Sequence, residues 1–404
     1  MSWSTIDFPE SIRKTAVGRE NQILSADIQQ SGRFPVVDQG QAFISGYSNE
    51  ERRVIREDLP LVIFGDHTRC VKYVDFPFIL GADGTKVLKP KEEIFDARFF
   101  YYALLSLEIP NRGYNRHFTL LKEQQLPKPE KQEQRKIAVV LRLVQLVMEQ
   151  QERLLALTTE LKEALSHKLF TEGLRGEPQK DTEFGFVPKS WRLQSIDELD
   201  LDIGDGNYST KYPKRDEFLT TGIPFVRANN LDDGRLIWDE MRYISPELHA
   251  TLKKGHLKKN DVCLVTRGSI GDVAFVTDDF VGANMNAQLV RLNGGEGIDG
   301  NFLYYALSHP ASQKQLKSLT TGTALQQLPI GKLKFVRLPI PSKAEQVEIA
   351  NALWLTDLRR DIINRKCRAL AALFKTLLHQ LMTAQIRVND LDLESAEACE
   401  TTVQ

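Results

Sequence analysis

Four cysteines in 404 residues, Cys70, Cys263, Cys367 and Cys399, stand far apart, and no two form a CxxC pair. That spacing argues against a zinc site or a disulfide framework, and it fits a reducing compartment. No apolar run approaches the roughly 18–20 residues that cross a bilayer. The opening Met1-Ser2-Trp3-Ser4-Thr5-Ile6-Asp7 has no basic stretch followed by an apolar one. A cytoplasmic chain without membrane contact is expected. An excess of one charge is missing too: 53 Lys and Arg face 54 Asp and Glu, a net charge of −1. Bulk charge gives no support to a nucleic-acid partner, so any anionic surface has to be met by local sorting of cations. No Gly-Lys-Ser/Thr phosphate loop, Asn-Pro-Pro-Phe/Tyr run, acid–lysine nuclease site or helicase motif stands out. No dinucleotide or S-adenosylmethionine loop of the Gly-x-Gly-x-x-Gly kind is expected either. The chain therefore reads as non-catalytic, with no cofactor and no metal.

What the sequence does have is a copy of part of itself. Residues Leu126–Arg175 recur at Leu338–Arg387, an offset of 212 (338 − 126), with 18 of 50 aligned positions identical and no gap. The copies open on Leu126-Pro127-Lys128-Pro129 and Leu338-Pro339-Ile340-Pro341, followed by Glu133-Gln134 and Glu345-Gln346. Solenoids and propellers repeat every roughly 20–50 residues. This much longer period signals a duplicated half-molecule: head, long helix, head, long helix.

The paired prolines close strand-like pieces, because proline cannot continue a ladder. From Gln132 to Glu172 no Pro or Gly intervenes, room for about 60 Å of helix. Ile137, Leu141, Val144, Met148, Leu155, Leu165 and Leu169 fall on alternating steps of four and three, with Gln151, Thr158 and Lys162 as the polar exceptions, and Val140, Val147, Leu154 and Leu161 widen the stripe. Ile349, Leu353, Ile363, Cys367, Leu370, Phe374, Leu377 and Leu381 repeat the pattern, with Thr356 and Arg360 interrupting. A period of 3.5 is a coiled-coil seam. The order of segments lets two helices lie antiparallel about a pseudo-twofold axis with a head at each end; the competing reading packs each helix on its own head.

The heads mix short strands (Phe34–Val37, Leu61–Phe64, Val71–Val74; Pro224–Arg227, Asp261–Val265, Val273–Val276) with one aromatic helix each (Ala97–Leu107, Asn301–Ser308). The expected class is α+β. Expected boundaries are 1–129 for the first head, 130–175 for its helix, 176–341 for the second head, 342–388 for its helix, and 389–404 for a disordered acidic tail.

Candidate contact residues cluster in turns. His67, Thr68 and Arg69 follow Phe64-Gly65-Asp66; the Asp–His pair reads as a structural turn, as a loop offered to a partner, or as half of a catalytic or metal site lacking its other members. Arg112, Tyr114, Arg116 and His117 interleave cations and aromatics around Gly113, suited to phosphates and base edges or to a plain surface loop. In the second head, Thr266, Arg267 and Ser269 sit among closely spaced glycines, Arg227 closes a strand, and Thr321, Thr323 and Gln326 line a polar loop.

In order, these pieces resemble the specificity (S) subunit of type I DNA restriction–modification enzymes. The resemblance is carried by Phe64-Gly65-Asp66-His67-Thr68 with Asp83-Gly84, by Gly113-Tyr114-Asn115-Arg116-His117-Phe118, and by Phe184-Gly185-Phe186-Val187-Pro188-Lys189-Ser190-Trp191. Thr266-Arg267-Gly268-Ser269-Ile270-Gly271 and the two proline exits add to it. It implies a non-catalytic subunit that binds double-stranded DNA, each target-recognition domain reading half of a split site. The helices would set the gap and dock methyltransferase (M) subunits, two of them, with restriction/translocase (R) subunits joining. The candidates named above become DNA-facing by the same resemblance. A scaffold holding two proteins through its heads is the competing class. The first head lacks the Pro-x-x-Trp opening, so an unusual first strand and turn are expected there.

Overall fold

The computed structural model describes residues 2–111, 113, 115–206, 212–322 and 326–388; Arg112, Tyr114, Thr323 and the acidic stretch 389–404 lie outside the described residues. The chain divides into two compact units, Met1–Arg153 with Arg365–Gln404, and Leu154–Asn364. Four helices recur below: α1 (Ala97–Leu105), α2 (Lys131–Glu172), α3 (Gly300–Ser308) and α4 (Lys343–Met382).

The two units are built alike. The first head's main sheet runs Ile12–Arg13, Thr85–Pro90, Leu61–Gly65, Val71–Val74, all antiparallel. Its central strand is buried at every position, as an uninterrupted apolar run should be. Alternation sends Val62 and Phe64 to a core shared with α1 and α2, and Leu61 and Ile63 to a second core under Val37, Phe78 and Leu80 of a smaller mixed sheet. The second head repeats this. Val262 and Leu264 meet α3 and the helices, while Cys263 and Val265 meet Val226 and Met285. Each head is therefore a helical layer, a main sheet and a small outer sheet; the main sheet is antiparallel in the first head, and in the second it carries one parallel pair, Arg235–Leu236 beside Val273–Phe275. The expected strands and head helices are present within a residue or two of their ends.

Each head closes by pairing an early strand with its last: Ser4–Asp7 with Gln125–Lys128, and Arg192–Ser195, after a hairpin of Gln179–Thr182 and Gly185–Pro188, with Arg337–Ile340. A tryptophan precedes the closing strand in both heads, Trp3 and Trp191. Trp3 donates to Leu381 O at 2.8 Å and lies under Arg387 at 4.2 Å, and Trp191 donates to Glu345 at 3.3 Å. The first strand is thus ordinary despite the missing motif, because Trp3 takes the place of the tryptophan.

The proline exits lead into a joint that both units share. Buried Gln134 accepts from Asp96 N at 2.8 Å and donates to Ile94 O and Pro129 O, both at 2.9 Å. Buried Gln346 accepts from Asp299 N at 2.9 Å and donates to Pro341 O at 3.2 Å and Gly297 O at 3.5 Å. Asp96 and Asp299 are the N-caps of α1 and α3. One amide per unit thus ties the strand exit, the head helix and the long helix together.

Both packing readings of the long helices hold, and in each unit they hold within one core. In the first unit Ile137, Ala138 and Leu141 share one core with Leu378, Leu381, Met382 and the α1 aromatics. In the second, Leu169 and Phe170 share one with Ile349, Leu353 and α3. In each, the start of one long helix meets the end of the other. Val147 and Leu161 do not widen the buried stripe: they are 41% and 57% exposed, since 100° per residue carries them off the contact face. Midway, the offset of 212 pairs chemistry again. Tyr102 donates to Gln145 at 2.8 Å, and Tyr305 to Asp357 at 2.7 Å. Around Asp357 the second unit adds charge. Lys162 pairs with it at 2.6 Å, Arg360 with Asp233, and Arg235 with Asp361 while lying over Trp354 at 5.1 Å.

Two expectations follow. Gln346→Leu leaves the Asp299 N–H and the Pro341 carbonyl without partners, and each stranded buried group costs about 1–3 kcal/mol. Urea unfolding followed by tryptophan fluorescence should show a loss of about 2 kcal/mol or more; a change under about 0.5 kcal/mol sinks the joint. His309 sits between Phe170 (5.0 Å) and Phe184 (4.8 Å), and its Nδ1 accepts from Ala311 N. Burial, with a smaller push from His167, lowers its pKa from 6.5 to about 4. The unfolded chain therefore binds this proton first. The stability contributed by the neutral ring is complete above pH 6.5 and declines as pH falls toward 4. His309→Asn keeps a capping oxygen and should flatten that part of the stability–pH curve; an unaltered curve counts against the assignment.

Candidate nucleic-acid interface

The central strand of each head ends in a turn, and the same two backbone contacts hold both turns. In the first head Asp66 N donates to Gly84 O at 2.8 Å and Asp66 O accepts from His117 N at 2.8 Å. In the second, Thr266 N donates to Gln288 O at 2.8 Å and Thr266 O accepts from Leu328 N at 2.9 Å. Each turn is thus fastened to the start of the next strand on one side and to the loop after the head helix on the other. Segments far apart in sequence become one loop cluster per head.

The first cluster gathers His67, Thr68, Arg69, Arg116 and His117. Asp66 is buried, accepts from Phe118 N at 2.8 Å and pairs with Lys86 at 3.8 Å. It serves the turn rather than His67. Thr68 donates to Gln39 O and accepts from Cys70 N. Arg69 adopts φ 61° and donates to Ile109 O at 2.9 Å. His117 is wholly buried, its Nδ1 3.0 Å from Asp66 O. It does not face outward, because the turn needs both its N–H and its ring. Arg116 is exposed.

The second cluster gathers Thr266, Arg267, Ser269, Thr321 and Gln326. Thr266 is 4% exposed, with its hydroxyl on Gln288 O at 3.0 Å, and also leaves the outward-facing set. Arg267, Ser269 and Gln326 are exposed, and Arg267 bridges backbone to backbone with Gln327, which in turn bridges Thr321. Arg227 joins through Asn286 N on Val226 O at 2.9 Å. Its guanidinium donates to Glu240 O at 2.6 Å, and burial, then Arg242, bias its pKa downward. Gly113 (φ 70°) and Gly268 (φ 96°) have open space where a Cβ would lie, so conformation rather than crowding demands glycine.

Sequence reasoning missed Gln39, Asn286 and Gln288. Amides without a motif carry no signal until the fold brings them to a turn. It also passed over a Gly-x-Gly-x-x-Gly spacing at Gly295-Glu296-Gly297-Ile298-Asp299-Gly300. This run does join a strand to α3, but the Asp299 carboxylate caps α3 by accepting from Phe302 N. An anion already occupies the position a phosphate would take. Among the described residues, no group of three or more His, Cys, Asp or Glu is arranged to hold a metal.

Residues 201–370 match the type I restriction modification DNA specificity domain. The specificity subunit of the type I restriction enzyme EcoBI of Escherichia coli is 25% identical over 88% of this chain and 80% of its own length. That of MjaVIII of Methanocaldococcus jannaschii is 24% identical over 76% of this chain and 74% of its own. The chain is thus similar over most of its length to type I specificity subunits. It also shares the fold of the S subunit of a type I restriction–modification system from M. genitalium, with TM-score 0.65 and 18% identity over 94% of this chain and 96% of that one. The matched domain takes in the second loop cluster and much of α4; the likeness of the first head rests on the longer relatives.

Proposed function

We propose that the chain is the DNA-reading subunit of a type I restriction–modification complex, without catalysis of its own and acting in the cytoplasm. Residues 1–129 and 176–341 are the target-recognition domains, and 130–175 and 342–388 the spacers that set the gap between half-sites. The observation that carries this is the duplicated turn junction: Asp66 and Thr266 are held by the same backbone contacts, yet the side chains displayed around them differ. One frame presenting two different sets of side chains suits two different halves of one site. Exposed Arg116, Arg267, Ser269 and Gln326 offer what phosphates and base edges accept. Near-zero net charge fits a subunit whose partners share the phosphate contacts. On α4, Leu355, Leu358 and Ile362 are 64%, 41% and 47% exposed at steps of three and four, and Leu157 and Leu161 are exposed on α2. These apolar steps suit two methyltransferase subunits docking on the duplicated helices, with restriction/translocase subunits joining the assembly.

The deciding experiment exchanges residues 183–337 for another specificity subunit's second head and maps methylation with the M partner. One half-site should change and the other stay; a change in both ends the modular reading. Within the heads, Arg116→Ala and Arg267→Ala should each weaken duplex binding. A lost phosphate contact lowers affinity evenly across sequences and makes the salt slope shallower by about 0.9. A lost guanine contact costs about 1–3 kcal/mol and relaxes one base. Unchanged affinity and slope remove that arginine from the interface.

A further inference from the structure

Gln288 stands at the centre of the second loop cluster. Its carbonyl takes both the N–H and the hydroxyl of Thr266, and the neighbouring Asn286 donates its N–H to Val226 O, one residue before Arg227. The direction of the Gln288 amide is forced. Its backbone N–H donates to Asn286 Oδ1 at 3.1 Å. A backbone N–H has no acceptor role, so Oδ1 must face it. Asn286 therefore turns its Nδ2 to Gln288 Oε1, at 2.7 Å. The two N–H bonds of Gln288 Nε2 are left over, and no described residue accepts from them. The side chain is half-buried, so it is held as well as oriented.

The first head treats the same place differently. The residue equivalent to Gln288 is Gly84, with no side chain to offer. The glutamine nearby, Gln39, spends both ends internally, accepting from His67 N at 3.0 Å and donating to Asp83 O at 2.8 Å. Gln288 differs in keeping its Nε2 uncommitted among the described residues, on an oriented amide in the cluster of exposed Arg267, and orientation fixed in advance spares the cost of ordering on binding.

We infer that Gln288 reads a purine in the major groove of the second head's half-site, with Asn286 setting which end of its amide is offered. Nε2 donates to the purine N7. The second lone pair of Oε1 accepts from adenine N6, or the second N–H reaches guanine O6. This assignment rests on the reading of each head as the reader of one half-site.

The test uses the full chain assembled with its M subunits, a duplex library randomised over both half-sites, and sequencing of the methylated products. Gln288→Glu replaces the donor by an acceptor. It should lower methylation of the parent site by roughly tenfold or more and abolish the purine preference at one position, leaving the other half-site intact. Asn286→Asp is the positioning test. Its carboxylate still accepts the Gln288 N–H, so the turn survives, but it cannot donate. The Gln288 amide must then invert and show Oε1, moving the preferred base at that same position toward cytosine, whose amino group donates. A merely structural Asn286 would not move that base. Unchanged recognition in both variants, or an equal loss at every library sequence, overturns the assignment. A parent complex that methylates without sequence restriction overturns the half-site reading beneath it.

Discussion

One buried amide per unit holds the construction together. Gln134 and Gln346 each accept from the N-cap of the head helix and donate to the proline carbonyl that precedes the long helix. The backbone groups they satisfy are those a proline exit and a helix start leave over. Without this link the closing strand, the head helix and the spacer would each end in unpaired polar groups beneath an apolar core. With it, the direction of the helix relative to its own head is set by hydrogen bonds of fixed geometry.

The units share this joint but differ in how the middle of the helices is held. Tyr102 meets a neutral partner, Gln145. Tyr305 meets Asp357, and burial together with that carboxylate pushes its hydroxyl pKa up. Asp357 in turn draws in Lys162 and Arg360. Arg235 and Asp233 extend the charged set onto a hairpin of the second head. Such half-buried pairs add modest net stability for their number, since desolvation offsets much of the attraction. Their geometric demand is stricter than that of apolar contact, so they hold the hairpin in one register on the helix.

The same economy of backbone explains how related heads present different faces. Asp66 and Thr266 use N–H and C=O identically, leaving side chains free to vary. Where both backbone groups and the side chain are committed, as at His117 and Thr266, the residue is buried and serves the turn. At Arg116, Arg267 and Gln326 the side chain is exposed.

The sequence by itself determined the long helices, because a stretch without Pro or Gly and with a 3.5 period has one stable solution. It also determined the duplication, the α+β heads, and strands such as Phe34–Val37 and Leu61–Gly65, whose apolar runs must be covered on both faces. The offset of 212 already aligned Gln134 with Gln346, though not what either would bind. Tertiary structure alone decided which candidates face outward. The contacts that bury His117 and Thr266, and that bring Gln288 to the turn, are backbone hydrogen bonds between distant segments, and any residue type can make them. Exposure at Leu161 and burial at Leu141 were likewise settled by the partner helix. Periodicity names a stripe on a helix, but its width depends on what lies opposite.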